Sequence, residues 1–167
     1  MSRLLTENIF SAYNEPGSYR NLILRCLADG DAEGVIEQFN RLLSAIPYDD
    51  FAGAARASVK EHGYKFSPIE WLYRSTLLAY LRGLGVKVEA ELHSGRGRAD
   101  MVAAHKNRVW VMELKIARDG DDSSRLADRA LAQIAEMGYA KRYSNAVMLG
   151  MAIDDAKRSI TEYRAQN

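Results

Sequence analysis

The stretch Gly97-Arg98-Ala99-Asp100-Met101-Val102-Ala103-Ala104, a break at His105-Lys106-Asn107, and then Arg108-Val109-Trp110-Val111-Met112-Glu113-Leu114-Lys115 leaves few folds open. Two apolar runs joined by three turn-forming residues read as a pair of antiparallel strands, and the Val- and Trp-rich second run reads as a buried one. Charge falls at fixed places in this pattern. Asp100 stands at the start of the first strand, and Glu113 and Lys115 stand at the end of the second. A tight turn brings Asp100 to the level of Val111 to Glu113, and period-two alternation puts Glu113 and Lys115 on one face. Two carboxylates and an ammonium thus converge at the end of an otherwise dry sheet, where charge is costly unless it is paired or binds a metal. Either Lys115 simply bridges to Asp100 or Glu113, or the three form a working site.

The rest of the chain narrows the choice. A length of 167 residues suits one domain with a real core and some appended structure. The single Cys26 excludes an intramolecular disulfide and suits a reducing compartment. No apolar run is long enough to span a bilayer and no secretory leader is recognisable, so the expected location is the cytoplasm, away from any membrane. The net charge of +1 hides an asymmetry. Residues 1 to 50 carry eight acidic and four basic side chains, a net of −4, whereas residues 82 to 118 carry eight basic and four acidic ones, a net of +4. The basic section holds Asp100, Glu113 and Lys115, and a local basic surface is the footprint of a phosphate backbone, or else a solvated face.

Along the chain, residues 1 to 60 read as a helical extension and linker. Asn21 to Leu27 is amphipathic and stopped by Gly30. Asp31 caps a second helix with Val35, Ile36, Phe39, Leu42, Leu43 and Ile46 at helical spacing, and Pro47 ends it. No Gly-Lys-Ser/Thr phosphate loop occurs. Ser67-Pro68-Ile69-Glu70 is a helix start, with Ser67 as N-cap and Glu70 closing a capping box, and the helix is expected to run to about Arg82. Glu70 therefore fits two roles, a cap or part of a metal site. Val86 to Leu92 alternates as a strand, His93 to Gly97 is a connection, a helix is expected from about Arg125 to Met137, and Asn145 to Met151 is a buried strand. The tail from Lys157 to Tyr163 reads as an edge strand in preference to a short helix. The order from residue 67 is helix, three strands, helix, strand. The fourth strand follows a crossover helix and should pair in parallel with the third, giving an α/β fold with a mixed sheet.

That order, with Gly97-Arg98-Ala99-Asp100, then Val111-Met112-Glu113-Leu114-Lys115, then Ala130-Leu131-Ala132-Gln133-Ile134 with Gly138-Tyr139-Ala140, then Val147-Met148-Leu149-Gly150, resembles the PD-(D/E)xK nuclease superfamily. Within it, the string is similar to the nuclease-like domain found C-terminal to AAA-type ATPase domains in many bacterial proteins. The resemblance covers residues 67 to 163 and implies a restriction-endonuclease-like αβββαβ core behind an N-terminal helical extension. Ala99 stands where the superfamily's name has Pro, a common substitution there.

The resemblance implies hydrolysis of phosphodiester bonds, more readily of DNA than of RNA and with little sequence specificity, aided by Mg²⁺ or Mn²⁺. Asp100, Glu113 and the backbone carbonyl of Leu114 would hold the metal, with Glu70 joining them, and Glu91 is a second candidate for that place. Lys115 would polarise the attacking water. Gln133 and Tyr139 would position water or phosphate, and Arg96 and Arg98 would contact the nucleic-acid backbone. Each has a plainer reading: Gln133 on a helix surface, Tyr139 as a helix-end core residue, the arginines as solvated loop residues. His93 and His105 have no partner at metal-ligand spacing. The partners implied are nucleic acid, an AAA-type ATPase partner or missing ATPase domain, and a second copy of the chain in a homodimer. The alternative function is a catalytically silent nucleic-acid-binding or oligomerisation module working with such an ATPase.

Overall fold

A computed structural model of the protein describes residues 19–47, 68–94, 97–138 and 143–167. The linker region at 48–65, Ser67, Arg96 and Tyr139 lie outside the described residues, as do the side chains of Glu91 and Arg98.

The sheet grows outward from the hairpin. Strand β1 (Lys87–Ser94) pairs antiparallel with β2 (Gly97–His105), and β2 with β3 (Arg108–Ala117). β3 then pairs in parallel with β4 (Ala146–Asp154), and β5 (Ser159–Gln166) closes the order β1-β2-β3-β4-β5 as an antiparallel edge strand. This is the mixed sheet expected, and the tail is the expected strand. Several boundaries differ: β4 runs on to Asp154 and the last strand to Gln166, and three others have a plain cause. His105 pairs with Arg108, so the β2–β3 turn is only Lys106-Asn107, with Lys106 at φ 51°. A two-residue hairpin needs positive φ to match the twist of its strands, and Lys106 accepts it. β1 continues through His93 and Ser94, because the ladder runs on to Ser94↔Gly97. The crossover helix begins two residues early, at Ser123, because Asp122 caps it by accepting the Arg125 N–H.

Alternation on the strands divides the core. Trp110, Met112 and Leu114 of β3, with Val147, Leu149, Met151 and Ile153 of β4, face three helices: α1 (Tyr19–Asp29), α2 (Ala32–Ala45) and α3 (Pro68–Gly83). Val109 and Val111, with Val102 and Met148, face α4 (Ser123–Glu136) through Leu131, Ile134 and the following Met137. The helices of the N-terminal extension thus share one core with the sheet. The fully buried Trp110 donates its indole N–H to the Leu27 carbonyl at 2.9 Å. The Asn40 amide exchanges two hydrogen bonds with the backbone of Ile160, occupying polar groups of the edge strand that would otherwise invite another strand.

α3 is buried along Tyr73, Leu77, Tyr80 and Leu81, and Trp71 is its one exposed large hydrophobic residue, at 43%. The helix stops at the expected place: Gly85 takes φ 82° and Val86 N–H reaches back to the Leu81 carbonyl. Its first turn is tied down by Tyr73, whose hydroxyl donates to the Asp155 carboxylate at 3.0 Å. α4 is clamped to β5 by Arg164, which donates to Asp128 and Ser124. These anchors fix the two helices that flank the charged end of the hairpin.

Candidate active site

The β2–β3 ladder pairs Met101 with Met112 and goes no further toward Asp100. Beyond that point side chains replace the ladder. Leu114 N–H donates to Asp100 Oδ2 at 2.9 Å, and Asp100 N–H donates to Glu113 Oε2 at 3.2 Å. Each carboxylate therefore satisfies a main-chain donor that the departing strand leaves unpaired, which is why both are tolerated in the interior. Asp100 and Glu113 are among the few buried charged residues described. Leu114 itself stays in register with Met151 of β4. The N–H and C=O of one strand residue leave on the same side, so the Leu114 carbonyl is directed to the Asp100 side of β3, outside the β3–β4 ladder.

Glu113 Oε1 faces the other way. It accepts from Lys115 Nζ at 2.9 Å and from Gln133 Nε2, while Gln133 Oε1 accepts from Lys115 Nζ at 2.7 Å. Gln133 reaches this triangle because α4 lies very close on β4, and Gly150, level with Glu113 in the parallel ladder, permits it. A Cβ at Gly150 would press on the Leu131 amide nitrogen and come 2.8 Å from the Ala127 carbonyl oxygen. Backbone cannot swing aside as a side chain can, so Gly150→Ala should lift α4 and pull Gln133 off Glu113. The expected loss is about 1–3 kcal/mol, the usual cost of overpacking, read by denaturant unfolding. Unchanged stability would mean that the helix has room the geometry denies.

α3 supplies the fourth side. Glu70 and Arg74, one turn apart, share a face of the helix. Arg74, with its side chain 9% exposed, places Nη1 3.4 Å from Asp100 Oδ1. Glu70 is half-buried and feels the same charges. Burial first, and then the Asp100 carboxylate, push its pKa up, with Lys115 and Arg74 opposing. Glu113 is pushed up to about 7, by burial and then by Asp100, against the pull of Lys115 and the Asp100 N–H. Two neighbouring carboxylates both held above their ordinary range mark a site where negative charge is crowded or awaits a cation.

Residues 69–163, more than half of the chain, match the family model of the PD-(D/E)XK nuclease superfamily. The chain belongs to that superfamily. Asp100, Glu113 and Lys115, which meet at the fork, all lie within the matched residues. A comparison with curated proteins finds no match.

Of the residues singled out in the sequence, Asp100, Lys115 and Gln133 are each hydrogen-bonded to Glu113, and Glu70 interacts with them through its charge. Tyr139, Arg96 and the side chain of Arg98 lie outside the described residues. His105 sits at the turn, the opposite end of β2 from Asp100. Two further residues shape the site that were not among the candidate site residues read from the sequence. Arg74 was legible as a charged residue four places after Glu70 in an apolar helix, and Gly150 as a glycine inside a buried strand.

The oxygen-rich set fits a hard divalent ion. Asp100 Oδ1 is held only by the long contact to Arg74 among the bonds resolved here, Glu113 adds its carboxylate, and the Leu114 carbonyl faces the same side. Among the described residues no three His, Cys, Asp or Glu side chains form a ready-made metal cluster. Also among the described residues, no helix is long and apolar enough to cross a membrane.

Proposed function

We propose that the protein is a metal-dependent nuclease that hydrolyses phosphodiester bonds of DNA with little sequence specificity of its own. The observation that carries this reading is the buried fork in which Asp100, Glu113 and Lys115 meet with Gln133. Three acids, Glu70, Asp100 and Glu113, stand here against two cations, Arg74 and Lys115, and the structural cost of the extra negative charge makes sense where a metal cation joins them.

Asp100, Glu113 and the Leu114 carbonyl would hold Mg²⁺ or Mn²⁺, which when bound lowers the pKa of water and offsets charge on phosphoryl oxygens. Lys115 presents its ammonium beside those ligands. Gln133 and Glu113 orient it, and its protons can hold an attacking water or meet a phosphate oxygen. Glu70, with its raised pKa, stands where it can accept a proton or hold an outer water. Arg96 and Arg98 are assigned to the nucleic-acid backbone on the strength of the basic section of sequence alone. The Gly97–Asp100, Ala130–Ile134 and Gly138–Ala140 strings support a further assignment, to the branch that works with AAA-type ATPases.

The test is incubation of the purified protein with plasmid, linear duplex, single strands and RNA in Mg²⁺, Mn²⁺ or EDTA. Cleavage should need the divalent ion and vanish in Asp100→Ala. Cleavage that persists in EDTA or in that variant removes the proposal. Binding of nucleic acid without cleavage under any condition would instead favour a silent binding module.

A further inference from the structure

Arg74 has no part in the motif, yet it is the most deeply placed cation of the site. Its guanidinium cannot shed its charge, and burying such a group is costly unless an acid meets it. The acid it meets is Asp100, and at the oxygen that matters. Oδ2 is committed to the Leu114 N–H, so Oδ1 is the oxygen left for a cation, and Oδ1 is the one that faces Arg74. At 3.4 Å the contact lies beyond good hydrogen-bond geometry, so it acts chiefly as charge against charge. The same positive charge also bears on Glu70.

Counting the ionised groups sets a limit. Glu70, Asp100 and Glu113 contribute three negative charges, and Arg74 and Lys115 two positive ones, leaving the site at −1. One divalent ion brings it to +1. A second would bring it to +3 in a partly buried place, where Asp100 and Glu113 are both buried and Arg74 already stands 3.4 Å from Asp100. A site meant for two ions has no use for a fixed cation against its central carboxylate.

We propose that Arg74 is a fixed counter-charge that restricts the site to a single divalent cation and holds its affinity down. The inference rests on the metal-dependent reading above and concerns how that site is filled. Arg74 is a positioning residue in this role. It holds Asp100 in place when the metal is away and competes with it when the metal arrives.

The experiment is a count of bound Mn²⁺ by equilibrium dialysis and calorimetry on the full chain stripped with EDTA, without nucleic acid. The parent should bind one ion per chain at this site. Arg74→Met keeps the length of the stem and removes the charge, and should bind Mn²⁺ at least about tenfold more tightly or admit a second ion, as expected for loss of a like charge at close range. Arg74→Lys restores the charge and should return to one ion with affinity within about threefold of the parent. A residue that only props up the fold would not give that order. If Arg74→Met is unstable without metal, Mn²⁺ should raise its unfolding temperature more than it raises the parent's, because the ion takes over the missing charge. Two ions in the parent would overturn the inference and leave the nuclease reading standing. Equal or weaker Mn²⁺ binding by Arg74→Met, with parent stoichiometry, would overturn it too. Binding of no ion by any of the three would overturn it together with the metal-dependent reading.

Discussion

Lys115→Met should give a folded protein that binds nucleic acid and divalent metal and fails to cut. The substitution keeps the aliphatic stem, which is three-quarters buried, and removes only the ammonium that bonds Glu113 and Gln133. A group that meets charge growing in the transition state affects turnover more than binding. Deleting one such preorganised donor typically costs about 10²–10³ in rate, so kcat should fall by at least that much while KM changes little. Stability has its own signature. Without the ammonium, Glu113 loses its cationic partner and Arg74 alone offsets the two carboxylates, so the metal-free variant should be weakened at neutral pH and recover as acid protonates Glu113, whose pKa is already pushed up to about 7 in the parent. Metal should tighten or hold, since a competing cation is gone. Single-turnover cleavage with saturating Mg²⁺ or Mn²⁺ reads the first effect, and thermal unfolding with and without metal the second. A Lys115→Met protein that cuts at the parental rate refutes the catalytic assignment. One that unfolds at neutral pH even with metal, and is rescued only by acid, identifies Lys115 as the cationic, neutralising partner of an ordinary buried ion pair.

The hairpin and its charges were legible because strand alternation is a strict period. Once Asp100, Glu113 and Lys115 are set on the strands, a short turn brings the carboxylates to about the same level, and the two-residue turn sets the register that puts Asp100 level with Glu113. What alternation does not reveal is how two buried acids survive. The answer is local to the backbone: β2 leaves β3 after Met101, and the carboxylates take the amides of Leu114 and Asp100 that the ladder drops. Strand divergence has no period and no composition signal. The parallel β3–β4 pairing followed from the crossover helix, and so did the presence of Gln133 on a helix facing the sheet. The closeness of that helix did not, because it depends on Gly150, and a strand glycine signals a near neighbour without naming it. Arg74 shows the opposite difficulty. Its position one turn from Glu70 is plain in the sequence, but whether such an arginine turns to solvent or to Asp100 depends on the rotation of α3. That rotation is set by contacts as distant as the Tyr73 hydroxyl on Asp155.

Glu113→Gln should separate stability from activity most sharply. The parent carboxylate pays for its burial with a pKa raised from the ordinary 4.5 to about 7. A group raised on folding stabilises the native state fully below its unfolded pKa, and that contribution is lost as pH climbs through the folded pKa. The metal-free parent should therefore lose stability between pH about 4.5 and about 7, the two ends of the Glu113 shift, and Glu70 adds to the same slope because its pKa is also raised. Gln keeps the shape and one acceptor oxygen for the Asp100 N–H, but carries no charge to titrate. The variant's stability should be flatter across that window, and at pH 7.5 it should match or exceed the metal-free parent. Its amide is a far poorer ligand for a hard cation than a carboxylate, so the unfolding-temperature rise on adding Mn²⁺ should shrink or disappear, and cleavage should be lost with it. Added metal should act on the parent in the reverse sense, removing the neutral-pH penalty by binding only the folded, deprotonated site. Unfolding temperatures measured from pH 4 to 8, with EDTA and with Mn²⁺, give four curves. If the parent's metal-free curve is flat where Glu113 should titrate, the carboxylate is not held in the crowded, desolvated state described. If Glu113→Gln keeps both its metal-induced stabilisation and its cleavage, the metal is bound elsewhere.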